Sequence, residues 1–402
     1  MMKTRIELAE NSVGGVNVWL TDAEAAALTQ TKLVTAMPIA GGGWQVTPRT
    51  NMVGAMRSGE RDLIVRPKAK FSSLLFMLAY ARDQGFRPDE FDGLADDDLW
   101  PAVGETLARL AERALERGIL RGYATKEDKL QVVRGRIRIS DQISRHQGIP
   151  IPLEVRYVDY SMDIPENRIL RAALRRMATV DRLPGSIERR LRHLGRQLGA
   201  ASGIIPGAVL PAWRPTRLNE RYVPALQLSE IILSSLGLST VQGQQPMASF
   251  VVDMAAVFES FVSVALAEAL RTISRGRTEE QRRTYFDDAH NIVVRPDVVH
   301  LVGGSERAVY DAKYKLGGET GLFPVADLYQ MYAYCTIMGL AEGHLIYAGT
   351  KSDYSGITEV VIRNAGVTVR IHPLDVSAAP ADLLAQIRDI AVDSLRRIPA
   401  AM

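Results

Sequence analysis

Two runs rich in Val, Ile and Tyr, Ile292-Val-Val-Arg-Pro-Asp297-Val-Val and Ala308-Val-Tyr-Asp311-Ala-Lys313-Tyr-Lys315, flank a Gly303-Gly304 pair. β-Branched and aromatic residues on both sides of a Gly-Gly turn specify a β-hairpin. Alternation along a strand sends residues i and i+2 to one face, so Asp311 and Lys313 point together and the hairpin partner brings Asp297 beside them. Two close carboxylates repel unless a cation lies between them. Mg²⁺ prefers oxygen ligands and keeps waters, so it suits such a pair and would bind a scissile phosphate while activating a nucleophilic water. Lys313 is then placed to orient that water or to stabilise charge on the phosphate. The plainer alternative is that Asp297 ends a strand beside a proline and Asp311 only pairs with Lys313 or Lys315.

Context separates this hairpin from chance matches. Arg87-Pro88-Asp89 repeats its first half and Glu127-Asp128-Lys129 mimics its second. Asp89, however, lies in an acidic, turn-like run without flanking apolar alternation. Upstream, Met254 to Leu270 has apolar residues at helical spacing, with Glu259 among Phe258, Phe261 and Val262. Glu259 either serves the site or lies on a solvated stripe. Downstream, residues 325–338 read as a helix on which Gln330 and Tyr334 fall one turn apart, able to hold a phosphate or a water. Alternatively, Tyr329, Tyr332 and Tyr334 form only an aromatic packing face.

The local order is helix (253–272), strand (283–287), strand (292–300), strand (308–314), helix (325–338) and strand (344–349). Strands at 357–362 and 368–371 and a helix at 383–396 follow. Residues 1–70 carry short alternating runs with Gly and Pro punctuation and read as a β-rich module. Residues 71–240 are mixed and mainly helical, with strands at 130–139 and 153–157 and a Pro/Gly-rich linker at 203–215. The polar run Ser239 to Pro246 is the expected boundary before a third domain, 246–402.

The chain has 402 residues, 47% of them apolar, enough for two or three packed domains. A net charge of +3 is too small to imply nucleic-acid binding, so any such contact must come from local patches. Two are candidates: Arg189 to Arg196, and Arg275 through Arg282 and Arg283. One cysteine, Cys335, excludes a disulfide framework within the chain and suits a reducing cytoplasm. It reads as a core residue. The six scattered histidines offer no zinc-ligand spacing. Neither a signal-like N-terminus nor a run of about 20 apolar residues is present. Gly41-Gly-Gly43-Trp lacks the lysine of a phosphate loop, so the chain is not expected to hydrolyse nucleotide alone.

The order of elements resembles the αβββαβ core of PD-(D/E)xK nucleases. That resemblance implies an α/β chain (α+β overall) with a restriction-endonuclease-like C-terminal core on a mixed sheet, preceded by a β-rich and helical docking region. It assigns Asp297 and Asp311 to metal binding, Lys313 to the water or phosphate, and Glu259 to a supporting carboxylate and metal ligand. Gln330 and Tyr334 resemble the motif of an exonuclease-like branch. Further phrases narrow it: Gly54-Ala-Met-Arg57, Ile64-Val-Arg-Pro67-Lys68, Leu74 to Tyr80, Arg134-Gly-Arg136-Ile, Tyr160 to Leu170, Phe258-Glu259, Arg295-Pro-Asp297, Asp311 to Lys315 and Asp327-Leu-Tyr-Gln330. In this order they resemble the McrC family, nuclease subunits of McrBC modification-dependent restriction systems. The resemblance implies Mg²⁺-dependent DNA cleavage and an McrB-like AAA+ GTPase partner, which binds GTP or ATP, reads 5-methylcytosine and is stimulated by residues 1–240. Pro67-Lys68 and Arg134-Gly-Arg136 are candidate contacts with that partner. Two copies of the chain would most simply cut both strands. The competing expectations are a non-cleaving adaptor with a nuclease fold and a stand-alone DNA repair nuclease.

Overall fold

A computed structural model describes residues 4–12, 14–58, 61–81, 99–146, 150–205, 208–239, 247–314, 324–349 and 356–396. In chain order its first elements are β1 (Thr4–Ala9), β2 (Val16–Val18), α1 (Asp22–Gln30), β3 (Val34–Pro38), β4 (Trp44–Pro48), β5 (Met52–Ser58), β6 (Arg61–Arg66) and α2 (Phe71–Tyr80). There follow α3 (Leu99–Leu115), β7 (Gly122–Leu130), β8 (Arg136–Ile137), α4 (Ile139–His146), β9 (Leu153–Ser161), α5 (Pro165–Met177), α6 (Gly185–Gln197) and α7 (Val223–Ser235). The remainder comprises β10 (Leu236–Ser239), β11 (Met247–Asp253), α8 (Met254–Ile273), β12 (Arg277–Glu280), β13 (Thr284–Tyr285), β14 (Val293–Val294), β15 (Val298–Val302) and β16 (Ser305–Lys313). It closes with α9 (Val325–Met338), β17 (Glu342–Gly349), β18 (Thr358–Val361), β19 (Thr368–Asp375) and α10 (Pro380–Arg396).

The chain forms two compact units, residues 1–103 with 234–402 and residues 104–233. This division crosses the expected segments 1–70, 71–240 and 246–402. The cause is β11, which pairs along the whole of β5 from Met247↔Ser58 to Asp253↔Met52. N-terminal and C-terminal strands therefore share one sheet, ordered β1-β6-β5-β11-β10. Gly54 makes the pairing possible. Its φ of +144° disfavours a side chain, and a Cβ there would lie 1.9 Å from the Phe250 carbonyl oxygen. The expected boundary also falls between paired strands, since Leu236 to Ser239 are matched to Phe250 to Met247; residues 240–246 lie outside the described ones. The first 70 residues are not purely β, because a capping box between Thr21 and Glu24 starts α1.

A second sheet of the first unit has, among the described residues, the order β12-β15-β16-β17-β19-β18. It is mixed: β12, β15 and β16 are antiparallel, and β16, β17 and β19 are parallel. With α8 before it and α9 inserted before β17, the chain order is helix, three strands, helix, strand, as expected. On one face α9 packs Met331, Tyr334 and Cys335 against Val309, Leu345, Tyr347, Val369 and Ile371. Alternation turns Tyr310 to the opposite face, where its hydroxyl meets Ser394 of α10 at 2.5 Å. Asp253 caps α8 by accepting from the backbone N–H groups of Ala255 and Ala256.

Several strand boundaries differ from expectation. The strand expected at 292–300 is interrupted at Arg295-Pro296-Asp297, giving β14 and β15, because proline lacks a ladder N–H and pushes its predecessor out of register. The strand expected at 283–287 is only the two-residue β13, which pairs with β14 apart from the main sheet. The third core strand is instead β12, whose Arg277-Thr-Glu-Glu280 carries no apolar alternation because it lies on the sheet edge. In the second unit, the span expected as a strand at 130–139 holds only the end of β7 and the two-residue β8, and residues 139–146 are helical.

Candidate functional site

The hairpin expected around Gly303-Gly304 forms between β15 and β16, with Val298 opposite Tyr310. This register sets Asp297, at the entry to β15, beside Asp311 near the end of β16. Both are buried, at 7% and 3% exposure. The Asp297 carboxylate is locked over the β16 backbone: Oδ2 accepts from the Ala312 N–H at 2.8 Å, and Oδ1 accepts from Gln281 Nε2 at 2.6 Å. Lys313 reaches back along its own strand face, placing Nζ 2.5 Å from Asp311 Oδ2.

The electrostatics follow from this crowding. Burial, then the charge of Asp297, pushes the Asp311 carboxyl up to about 6, against the pull of Lys313; Glu259 adds to the rise. Burial also raises Asp297, opposed by the Ala312 N–H, Lys313 and Gln281. Glu259, half-buried on α8, is raised by burial and then by Asp297, with Lys313 opposing, so it shares the field of the cluster. Burial works against the Lys313 ammonium, but Asp311, Asp327 and Asp297 outweigh it and hold its pKa above the ordinary lysine value. Three carboxylates and one ammonium thus act on one another. Each carboxylate is one that a further positive charge would stabilise.

α9 supplies the wall. Gln330 Nε2 donates to Tyr334 Oη at 2.8 Å, and Tyr334 is buried with its phenol raised by burial and by the Asp311 and Asp297 charges. Tyr334 is therefore both a packing residue and a neighbour of the carboxylates. One turn before Gln330, buried Asp327 accepts from Tyr347 Oη at 2.6 Å and acts on Lys313. Sequence reasoning left Asp327 and Gln281 without roles. Asp327 was readable in principle, since it shares a helix face with Gln330 and Tyr334. Gln281 was not, because its approach to Asp297 depends on how β12 pairs.

The donor set is hard oxygen. Among the described residues, no three His, Cys, Asp or Glu side chains converge into a ready metal cage. Two carboxylates are nevertheless enough for Mg²⁺, which usually keeps several waters and binds through one or two carboxylates plus phosphate. Asp297 and Asp311 fit that role, Glu259 lies within the field of Asp297, and the Lys313 ammonium supplies positive charge at Asp311.

Other candidates lie elsewhere. Arg282 is paired with Glu306 at 2.9 Å and Glu279 at 3.5 Å, whereas exposed Arg283 sits over the Tyr285 ring of β13 at 5.7 Å. In the second unit, Arg190 of α6 bridges to Glu105 and Glu112 of α3. Arg134 pairs with Asp159 at 2.8 Å and stacks over Tyr157 at 4.0 Å, and a Cβ on Gly135, φ +70°, would meet the Arg156 carbonyl oxygen at 2.4 Å. Arg87-Pro-Asp89 lies outside the described residues. Cys335 is a core residue whose thiol burial pushes up to about 12. Among the described residues no helix is long and apolar enough to cross a membrane.

The fold is shared with a known protein. A solved McrC chain, from an assembly of Thermococcus gammatolerans McrB AAA+ hexamers with bound McrC, matches 96% of this chain and 100% of its own length at a TM-score of 0.60 and 18% identity. The two share a fold. A second structure, of the Thermococcus gammatolerans McrBC complex, matches 66% of the chain and 88% of its own at 0.42 and 19% identity. No curated protein sequence matches. The family model described as "McrBC 5-methylcytosine restriction system component" matches residues 48–348, from β4 through β17, and the chain belongs to that family.

Proposed function

We propose that the chain is the metal-dependent DNA endonuclease of a modification-dependent restriction complex, of the PD-(D/E)xK type, cutting when docked on an McrB-like AAA+ GTPase whose hydrolysis it stimulates. The observation that carries this reading is the buried Asp297, Asp311 and Lys313 cluster on one hairpin. Asp297 is fixed by the Ala312 N–H and Gln281, so its free lone pairs keep one direction. Lys313, held charged by Asp311, orients the attacking water or donates to a phosphate oxygen as charge develops there. Gln330 and Tyr334 hold the phosphate or the water from the α9 side. Mg²⁺, when bound through Asp297, Asp311 and Glu259, would supply Lewis acidity at the scissile phosphate. GTP or ATP belongs to the partner, and two copies of the chain acting together would cut both strands in the cytoplasm.

Family membership supports the partner, as does the Thermococcus gammatolerans chain, which is itself bound to McrB AAA+ hexamers. The test uses the full chain with an McrB-like AAA+ protein. Methylated and unmethylated DNA are incubated with Mg²⁺ and GTP or ATP. Asp311→Ala is expected to lower cleavage by about a hundredfold or more while partner hydrolysis stays stimulated. Cleavage by Asp311→Ala at the wild-type rate would overturn the site and favour an adaptor. Cleavage by the isolated chain without nucleotide would favour a repair nuclease.

A further inference from the structure

Lys313 is the last residue of β16, and what fixes the chain immediately beyond it is the side chain of Tyr314. Tyr314 is buried; its ring lies 5.7 Å from that of Phe258, the neighbour of Glu259, and its hydroxyl donates to Glu10 Oε1 at 2.7 Å. One side chain therefore follows Lys313 in sequence and packs against the neighbour of Glu259.

The acceptor is unusual. Glu10, just past β1, is only 3% exposed, and its Oε1 also takes the Lys68 backbone N–H at 2.9 Å. Its Oε2 is buried with no hydrogen-bond partner among the described residues. A buried carboxylate with one oxygen doubly bonded and the other bare is a costly way to join two strands, and a neutral acceptor would join them at less cost. The expense is explained if the strength and direction of the Tyr314 bond matter more than stability. The Glu10 backbone N–H donates to the Arg66 carbonyl at 3.0 Å, so the end of β6 and the Pro67-Lys68 turn both bond to this residue just past β1.

We propose that Glu10 and Tyr314 are a positioning pair: the N-terminal strands β1 and β6 hold the β16 terminus so that Lys313 meets Asp311 and the substrate phosphate in reactive alignment. The inference rests on the nuclease reading above and extends it to two residues that touch neither DNA nor metal. It also gives the Pro67-Lys68 turn a role within the chain, through its backbone.

Single-turnover cleavage by the full chain with its partner tests the pair. Tyr314→Phe keeps the ring on Phe258 and loses only the hydroxyl. It is expected to lower the maximal rate about tenfold or more, since misplacements on the order of 1 Å are that damaging, with the half-saturating DNA concentration within about twofold. Glu10→Gln retains an oxygen acceptor without the charge and should recover only part of the rate lost in Glu10→Ala. The double variant Glu10→Ala/Tyr314→Phe should be no slower than the slower single variant, because both remove one contact. A Tyr314→Phe rate within about twofold of wild type, or single losses that multiply in the double variant, would overturn the pairing. Asp311→Ala run alongside separates the two ideas: if it still cuts, the nuclease reading fails and the pair with it; if it is inactive while Tyr314→Phe cuts normally, only the pair fails.

Discussion

Asp311 shows what the cluster does to the protein that holds it. Its pKa of about 6 lies above that of a solvated aspartate, so the fold prefers it neutral. Its contribution to stability is complete below about pH 4 and is lost as pH rises through about 6. In chelator at pH 8, Asp311→Asn should therefore be more stable than wild type by about 1–3 kcal/mol, with the difference vanishing near pH 4. Urea midpoints at the two pH values check this, and equal midpoints at pH 8 would contradict it. The three hairpin residues were legible because strand alternation and a two-residue turn fix their geometry within about twenty positions. Gln281 and Glu10 were not, because each reaches its partner only after strands distant in the chain have paired.

At the scale of elements, the interruption at Pro296 shapes the approach to the site. It detaches β13 and β14 as a small hairpin leading directly into Asp297, its turn tied by Asp287, which accepts from the Asn291 and Ile292 N–H groups. Arg283 and Arg295 are exposed at its base, and Phe286 and Ile292 are exposed nearer its turn. Arg283→Ala is expected to weaken DNA binding uniformly across sequences and to flatten the salt dependence by about one unit of slope. Arg282→Ala should act less on binding, because its guanidinium is engaged by Glu306. Binding isotherms over a salt series distinguish them, and equal slopes for wild type and Arg283→Ala would remove this hairpin from the DNA path. The proline break was readable from the sequence. The edge strand β12 was not, since Arg-Thr-Glu-Glu gives no periodic apolar signal.

Across the whole molecule, chain order misled where it was taken as domain order. A β-rich beginning and a nuclease-like end suggest separable pieces, but β5 is shared with β11 along seven matched positions. Deleting residues 1–66 should leave β11 with an open edge and the Tyr314 hydroxyl without its carboxylate. The truncated chain is expected to be insoluble or to lose its cooperative thermal transition, as measured by calorimetry; a soluble fragment with a sharp transition would show that the C-terminal part folds alone.

The pairing of β5 with β11 also has a consequence in time. β5 ends at Ser58, and its partner strand is complete only at Asp253. At translation rates of about 5–20 residues per second, the partner edge of β5 waits roughly ten to forty seconds on the ribosome before its neighbour exists. An apolar strand left open that long invites pairing with other nascent chains. Synthesis of this protein should therefore depend on chaperone capture of its first strands, and faster production should yield aggregates before it yields more protein.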